Sequence, residues 1–290
     1  RALGNSVVPL VFLAVSAVLN IALDLWFVCG LGRSVAGAAE ATVIAQYVSG
    51  VGIAAYTWCR FPLLRDACRA RLRPARVKEI ASFSALTCVQ QSVMNLGILA
   101  VQGLVNSFGT AVMAAFAAAV KIDAFAYLPV QDFGNAFSIF LAQNYGAQEK
   151  DRLKQGMRGA FAAAAVFSVA VSAVVYVFAA PLMRIFIDAG ETAVIAEGVR
   201  YLHIEGTFYL GIGWLFLLYG LYRAVGRPGM SVVLTVISLG TRVALAYALS
   251  AVPAIGVVGI WWSVPIGWFL ADAVGLGYYW RKRRTVFEIR

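Results

Sequence analysis

Asn20 and Asp24 stand four residues apart inside an apolar stretch near the start of the chain. On a helix that spacing sets the two side chains on one face, about 40° apart and about one turn different in depth. An ionisable group inside a membrane span costs about 2.5–3.5 kcal/mol on insertion scales, so it needs a partner, a water-filled cavity or a task. A carboxylate in low dielectric with a hydrogen-bonding amide beside it can exchange a proton or hold a small cation, which is the chemistry of an ion-coupling site. The competing reading is an Asp24 near the extracellular end of its span that simply reaches water. Thr42, on the next apolar stretch, approaches Asp24 if the two stretches form the antiparallel hairpin that their short connection implies. Its hydroxyl could equally bond its own backbone.

Further polar residues interrupt the later stretches. Gln90, Gln91 and Asn95 fall on the third, Lys121, Asp123 and Asp132 on the fourth, His203 and Glu205 on the sixth, Arg242 on the seventh and Asp272 on the eighth. Lys121 and Asp123 are two apart and point to different faces, so separate partners on neighbouring helices are expected. For this group a structural network or a helix-end position ranks ahead of a substrate contact. Nothing in the sequence supports catalysis: His203 is the sole histidine, and there is no phosphate-cradling Gly-rich loop and no metal-ligand spacing. The reading is therefore a protein that is not an enzyme, with no catalytic residue, no bound metal and no cofactor, and no ATP-driven pump within this chain.

The elements that must position these residues are membrane helices. The chain is 61% hydrophobic and 13% charged over 290 residues, with mean hydropathy +0.80, too apolar for a water-soluble domain. Stretches long enough to cross a hydrocarbon core fall near 8–29, 36–58, 81–105, 111–140, 160–183, 201–222, 230–250 and 257–279. Continuous apolar runs of this length exclude barrel strands, which alternate over about 10 residues. The fold class is all-α, a polytopic transmembrane helix bundle of about eight spans.

The net charge of +10 is explained by its placement. Arg60, Arg65, Arg69, Arg71, Arg73, Arg76 and Lys78 fill the second loop, Lys150, Arg152, Lys154 and Arg158 the fourth, Arg223 and Arg227 the sixth, and Arg281, Lys282, Arg283 and Arg284 the tail. The intervening turns carry few. This positive-inside pattern puts both ends in the cytoplasm and excludes nucleic acid as the partner in favour of membrane lipid. Cys29, Cys59, Cys68 and Cys88 are scattered, with no redox or metal spacing. Trp261, Trp262, Tyr278, Tyr279 and Trp280 read as an interfacial belt. The chain opens at Arg1, and nothing there resembles a removable targeting segment.

Residues 1–37 and 223–259 match without gaps at an offset of 222. Arg1-Ala2-Leu3-Gly4 answers Arg223-Ala224-Val225-Gly226, Ser16 answers Ser238, Ala22-Leu23 answers Ala244-Leu245, and Val35-Ala36-Gly37 answers Val257-Val258-Gly259. The period holds six spans, an even number, so the copies share one topology about an axis along the membrane normal. Two complete copies need twelve helices. The organisation expected is the last two helices of one lobe at 1–59, a basic cytoplasmic linker at 60–79 and a complete six-helix lobe at 80–290, with four helices lacking before Arg1.

These residues resemble the multidrug and toxic compound extrusion (MATE) family, in its DinF-like branch. The resemblance covers essentially the whole chain. It is carried by Arg1-Ala2-Leu3-Gly4-Asn5-Ser6 leading to Asn20-Ile21-Ala22-Leu23-Asp24, then Ala41-Thr42-Val43-Ile44-Ala45-Gln46, Val105-Asn106-Ser107-Phe108-Gly109, Ala142-Gln143-Asn144-Tyr145-Gly146-Ala147 and Arg223-Ala224-Val225-Gly226. It implies twelve helices in two lobes and export of organic cations driven by inward H⁺ or Na⁺. It also implies that Asn20, Asp24 and Thr42 form the cation-coupling site, lacking an acid that the family supplies from its first helix. The branch that places acids on helices seven and ten finds Gln90 and Gln91 here, which favours proton coupling through Asp24.

The expectation is thus a monomeric, multi-pass antiporter of the bacterial cytoplasmic membrane that exports a small, cationic molecule by alternating access, with H⁺ or Na⁺ as the coupling ion. The alternatives are a lipid-linked oligosaccharide flippase, whose cavity should hold more basic residues than Lys121 and Arg242, and a truncated fragment that transports nothing.

Overall fold

A computed structural model describes residues 5–62 and 73–286, with side chains described as far as Lys282. Arg65, Arg69, Arg71 and Cys68 of the basic linker and the Arg-Ala-x-Gly start lie outside the described residues, as do the side chains of Arg283 and Arg284. The described residues form helices and their connections. In chain order these are α1 (Val7–Asp24), a π-helical turn (Leu25–Gly30), α2 (Ser34–Arg60), α3 (Pro74–Asn106), α4 (Thr110–Gly146), α5 (Lys150–Met183), α6 (Thr192–Thr207), α7 (Tyr209–Ala224), α8 (Pro228–Ser250) and α9 (Val258–Val286). Seven helices are long and apolar enough to cross a membrane, and α6 with α7 makes an eighth span if the bent pair is counted as one.

The sixth expected span, 201–222, is that pair. It starts nine residues earlier than expected and breaks at Phe208, where φ −110° and ψ 20° leave the helix and the axis turns by 50°. Hydropathy registers how apolar a stretch is and is blind to a bend within it. Helices α3, α4 and α5 also outrun their apolar cores. The 37 residues of α4 give a helix of about 55 Å, against a hydrocarbon core of about 30 Å. The first turns of α5 carry Lys150, Asp151, Arg152 and Lys154, so the helix continues past the apolar segment into polar surroundings.

The chain divides into two compact units, Arg1–Val77 and Lys78–Arg290. The first is the α1/α2 hairpin. Its helices are tied by two hydroxyls bonding across to backbone, Ser16 Oγ to the Ala45 carbonyl and Ser49 Oγ to the Phe12 carbonyl, each at 3.1 Å. Only Gly37, Ala41 and Ala45 of its described helical residues are buried. Many of its other described residues are large, apolar and exposed, as suits helices whose solvent is lipid.

The second unit holds the core. Small residues on α4 (Ala115, Ala118, Ala119, Ala126, Gly134) let its neighbours approach to backbone contact. A Cβ on Gly134 would stand 2.9 Å from the Phe216 carbonyl oxygen, and one on Gly220 would stand 2.6 Å from the Gly134 carbonyl oxygen, so α4 and α7 are joined through glycine on both sides. Helices α8 and α9 form a second antiparallel hairpin, in which a Cβ on Gly267 would meet the Ser238 carbonyl oxygen at 2.4 Å.

The two hairpins repeat one another position by position at the 222-residue offset. A Cβ on Gly37 would strike Arg33 and Phe27, and one on Gly259 would strike Ile255 and Leu249, which are the offset equivalents. Ser34 and Gly256, again equivalent, both take positive φ, at 28° and 55°. The Ser16–Ala45 crossing is mirrored by Ser238–Gly267. The glycine at the end of the repeat is there because the chain folds back on itself too closely for a side chain.

Of the aromatic residues read as a belt, Trp261 turns into the protein: it is among the most buried side chains, 1% exposed, stacked on Phe116 with ring centroids 5.5 Å apart. Its indole N–H donates to Glu197 at 2.8 Å, which satisfies the one polar atom that would otherwise hold it at the surface. Trp262 and Trp280 remain exposed.

Candidate functional site

The hairpin brings Asn20 and Thr42 together. The Asn20 amide donates to Thr42 Oγ1 at 3.3 Å, and the Thr42 hydroxyl donates to the Ala38 carbonyl at 3.0 Å, so the hydroxyl does bond its own backbone. Thr42 meets Asn20 rather than Asp24 through its hydrogen bonds. Asp24 is half-buried one turn further along, and its Oδ1 is buried without a hydrogen-bond partner. Directly after Asp24 the helix changes from α to π winding over Leu25–Gly30. Such π segments leave the regular ladder and recur at functional positions. Nothing in the side-chain pattern announced it.

In the second unit the residues singled out by type separate into a buried group and an exposed one. Gln90, Asp123, Glu205 and Asp272 are buried, whereas Gln91, Asn95, Lys121 and Asp132 lie on exposed helix faces and do not join them. Lys121 places its ammonium 5.6 Å from the Phe186 ring centroid, while Asp123 turns inward, so the two go to separate partners as their spacing requires. His203 stacks on Tyr176 and bonds its backbone carbonyl at 3.1 Å, a structural role between α6 and α5.

Asp123 is the centre of the buried group. It is 7% exposed and accepts two phenol hydroxyls, from Tyr201 on Oδ2 at 2.6 Å and from Tyr209 on Oδ1. Tyr201 is held edge-on between Phe116 and Trp261, with centroids 5.5 and 4.9 Å away. Glu205, 5% exposed, keeps Oε2 buried without a hydrogen-bond partner, and so does Arg242 with its Nε. Asp272 on α9 is separate: it is 4% exposed, with both carboxylate oxygens buried and unpartnered, beside Gly211 of α7.

The tyrosines escaped a reading by residue charge, yet a signal was present. Tyr201, Glu205 and Tyr209 follow at intervals of four, which on a continuing helix is one face. Among the described residues no group of three or more His, Cys, Asp or Glu is placed to hold a metal ion. What the buried group can do is keep a carboxylate in a low-dielectric interior by surrounding it with hydroxyl donors.

Helices of this length and apolarity, with carboxylates buried among them, define a polytopic α-helical membrane protein. The MatE family model matches residues 87–248, more than half of the chain, and the chain belongs to that family. It is 28% identical, over 98% of its length and 64% of the relative's, to "Probable multidrug resistance protein YoeA" of Bacillus subtilis. It is 24% identical, over 94% of its length and 59% of the relative's, to "DNA damage-inducible protein F" of Escherichia coli. Among solved structures, a variant of the Vibrio cholerae MATE transporter VcmN has a TM-score of 0.88 at 23% identity, covering 99% of this chain and 65% of that one. A MATE protein in complex with MaL6 has a TM-score of 0.86 at 21% identity, covering 95% and 62%. The chain spans less than two thirds of the length of these relatives.

Proposed function

We propose that this chain is the greater part of a secondary active efflux antiporter that exports small organic cations in exchange for H⁺, or Na⁺, by alternating access. The observation that carries the reading is Asp24: a carboxylate within a span, with one oxygen buried and unpartnered, on the helix whose Asn20 bonds Thr42 across the hairpin. The names of the relatives, several of them multidrug resistance proteins, support the substrate class. In this reading residues 1–59 are the last two helices of one lobe, 60–79 the cytoplasmic linker and 80–290 the second lobe of six spans. The protein sits in the cytoplasmic membrane with both ends inside, and works as a monomer.

The cycle follows from charge. Occupation of Asp24 by the coupling ion neutralises it and weakens its hold on a cationic substrate, and loss of the ion toward the cytoplasm restores the charge. A flippase handling lipid pyrophosphate would need several fixed cations in its cavity. The spans offer only Lys121 and Arg242. The test is export of a fluorescent cation from proteoliposomes holding the full chain, driven by a pH gradient, for the native sequence and Asp24→Asn. Coupled export lost in a folded Asp24→Asn supports the reading. Unchanged coupling moves the site to the second unit, and no cation export by the native sequence refutes antiport.

A further inference from the structure

At one end of the second unit a cleft of about 750 Å³ opens between α5, α7 and α9. Its rim on α5 is basic: Lys150, Lys154 and Arg158 all line it, and all three are exposed. Spaced by four, they fall on one helical face, each about 40° and about 6 Å from the next. Among the described residues that line the cleft none is acidic. Asp151 approaches Lys154 at 3.8 Å, but both side chains of that pair are exposed, 63% and 91%, and water and salt screen it. The wall of the cleft is apolar, with Phe161 on α5, Leu218 on α7 and Leu276 on α9.

Depth along the helices separates a lipid from a dissolved anion. The apolar run of α5 begins near 160, so Arg158 and Lys154 stand about 3 and 9 Å beyond it along the axis. The headgroup layer is about 5–8 Å thick on each side of the hydrocarbon. On α9 the apolar run ends near 279, where Tyr279 and Trp280 line the same cleft, and amphipathic rings of this kind settle at headgroup level. Phe161 and Leu276 lie inside the apolar runs, so the cleft passes from cations at the boundary to hydrocarbon-like wall within it. An anionic phospholipid presents its phosphate and its chains in that order. A dissolved anion would use the cations and leave the wall bare, and a neutral lipid would use the wall and leave the cations idle.

We propose that this cleft binds an anionic phospholipid: Lys150, Lys154 and Arg158 hold the headgroup phosphate, and the wall formed by α5, α7 and α9 takes the start of an acyl chain. Basic pockets between membrane helices bind acidic headgroups for this reason. Occupancy depends on neither the antiport reading nor Asp24.

The test is native mass spectrometry of the full chain, stripped of lipid in a neutral detergent and titrated with dioleoyl phosphatidylglycerol or dioleoyl phosphatidylcholine. Phosphatidylglycerol should bind at least about tenfold more tightly. Each basic side chain near an anionic headgroup is worth about fivefold in affinity. Lys150→Gln/Lys154→Gln/Arg158→Gln should therefore weaken phosphatidylglycerol about a hundredfold and leave phosphatidylcholine unchanged. Lys78→Gln/Arg152→Gln/Arg184→Gln removes the same charge from exposed residues that do not line the cleft and should keep the preference. Equal binding of the two lipids overturns the proposal, as does a preference that survives the first triple variant or that the second one abolishes. Inorganic phosphate at the concentration of the lipid should not displace it, and displacement would assign the cleft to a dissolved anion instead. If the first triple variant does not fold, Lys154→Gln and Arg158→Gln singly decide: a loss of about fivefold at either supports the proposal, and no loss at both overturns it.

Discussion

Replacing Tyr201 or Tyr209 by Phe removes one hydroxyl from Asp123 and leaves the ring in place. Asp123 is 7% exposed, so water does not take over the lost donor. A hydrogen bond to a charged group contributes about 1.5–3 kcal/mol net. In a unit of this size about 1 kcal/mol moves the melting temperature by about 2–4 °C, so each Phe variant should melt about 3–12 °C below the native protein. The edge contacts of ring 201 with Phe116 and Trp261 survive the change, which keeps packing loss out of the difference. The decisive comparison repeats both substitutions in an Asp123→Asn background. There only a neutral bond is lost, worth about 0.5–1.5 kcal/mol, and the double-mutant cycle isolates the charge-assisted part. Thermal unfolding of the full chain in detergent, followed by intrinsic fluorescence, measures it. Tyr201→Phe melting at the native temperature, or falling by the same amount with Asn at 123, would refute the idea that the phenols hold a buried carboxylate.

Glycines on the α8/α9 hairpin should divide by what surrounds them. Gly267→Ala meets the Ser238 carbonyl at 2.4 Å and should destabilise by about 1–3 kcal/mol through overpacking. Gly240→Ala meets nothing within 4 Å and should be neutral or stabilise by up to about 1 kcal/mol, since it stiffens the unfolded chain; equal melting temperatures for the two would contradict this. Gly37→Ala and Gly259→Ala, at equivalent turns, should both destabilise by about 1–3 kcal/mol, and a neutral result at either would mean that the two turns are not alike. Trp261→Phe loses the bond to Glu197, and because Arg200 still pairs with that carboxylate at 3.3 Å, the loss should be about 1–2 kcal/mol, again read by melting. Glu40→Ala breaks the exposed Arg33–Glu40 pair and should change stability by less than about 1 kcal/mol, less still in high salt.

The all-α membrane class, seven of the eight spans and the offset repeat were legible in the amino-acid sequence. Hydrocarbon demands about 20 apolar residues per helix and tolerates no unpaired backbone, so the run of apolar residues is itself the physical cause of the element. The antiparallel pairing of α1 with α2 was legible too, because a short connection between two spans leaves a hairpin as the way to bring them together, but the expected neighbour of Thr42 was Asp24 and its hydrogen bond is with Asn20. What hydropathy could not carry is direction and depth. The bend at Phe208, the π winding after Asp24 and the burial of Trp261 depend on which neighbour packs against which face, and a one-dimensional pattern does not hold that. Charge alone drew equal attention to Lys121, Asp123, Asp132, Glu205 and Asp272. Tertiary packing sorted them: Asp123 goes inside where hydroxyl donors from other helices converge, as those of Tyr201 and Tyr209 do, and which helices meet there is not written in the charge pattern.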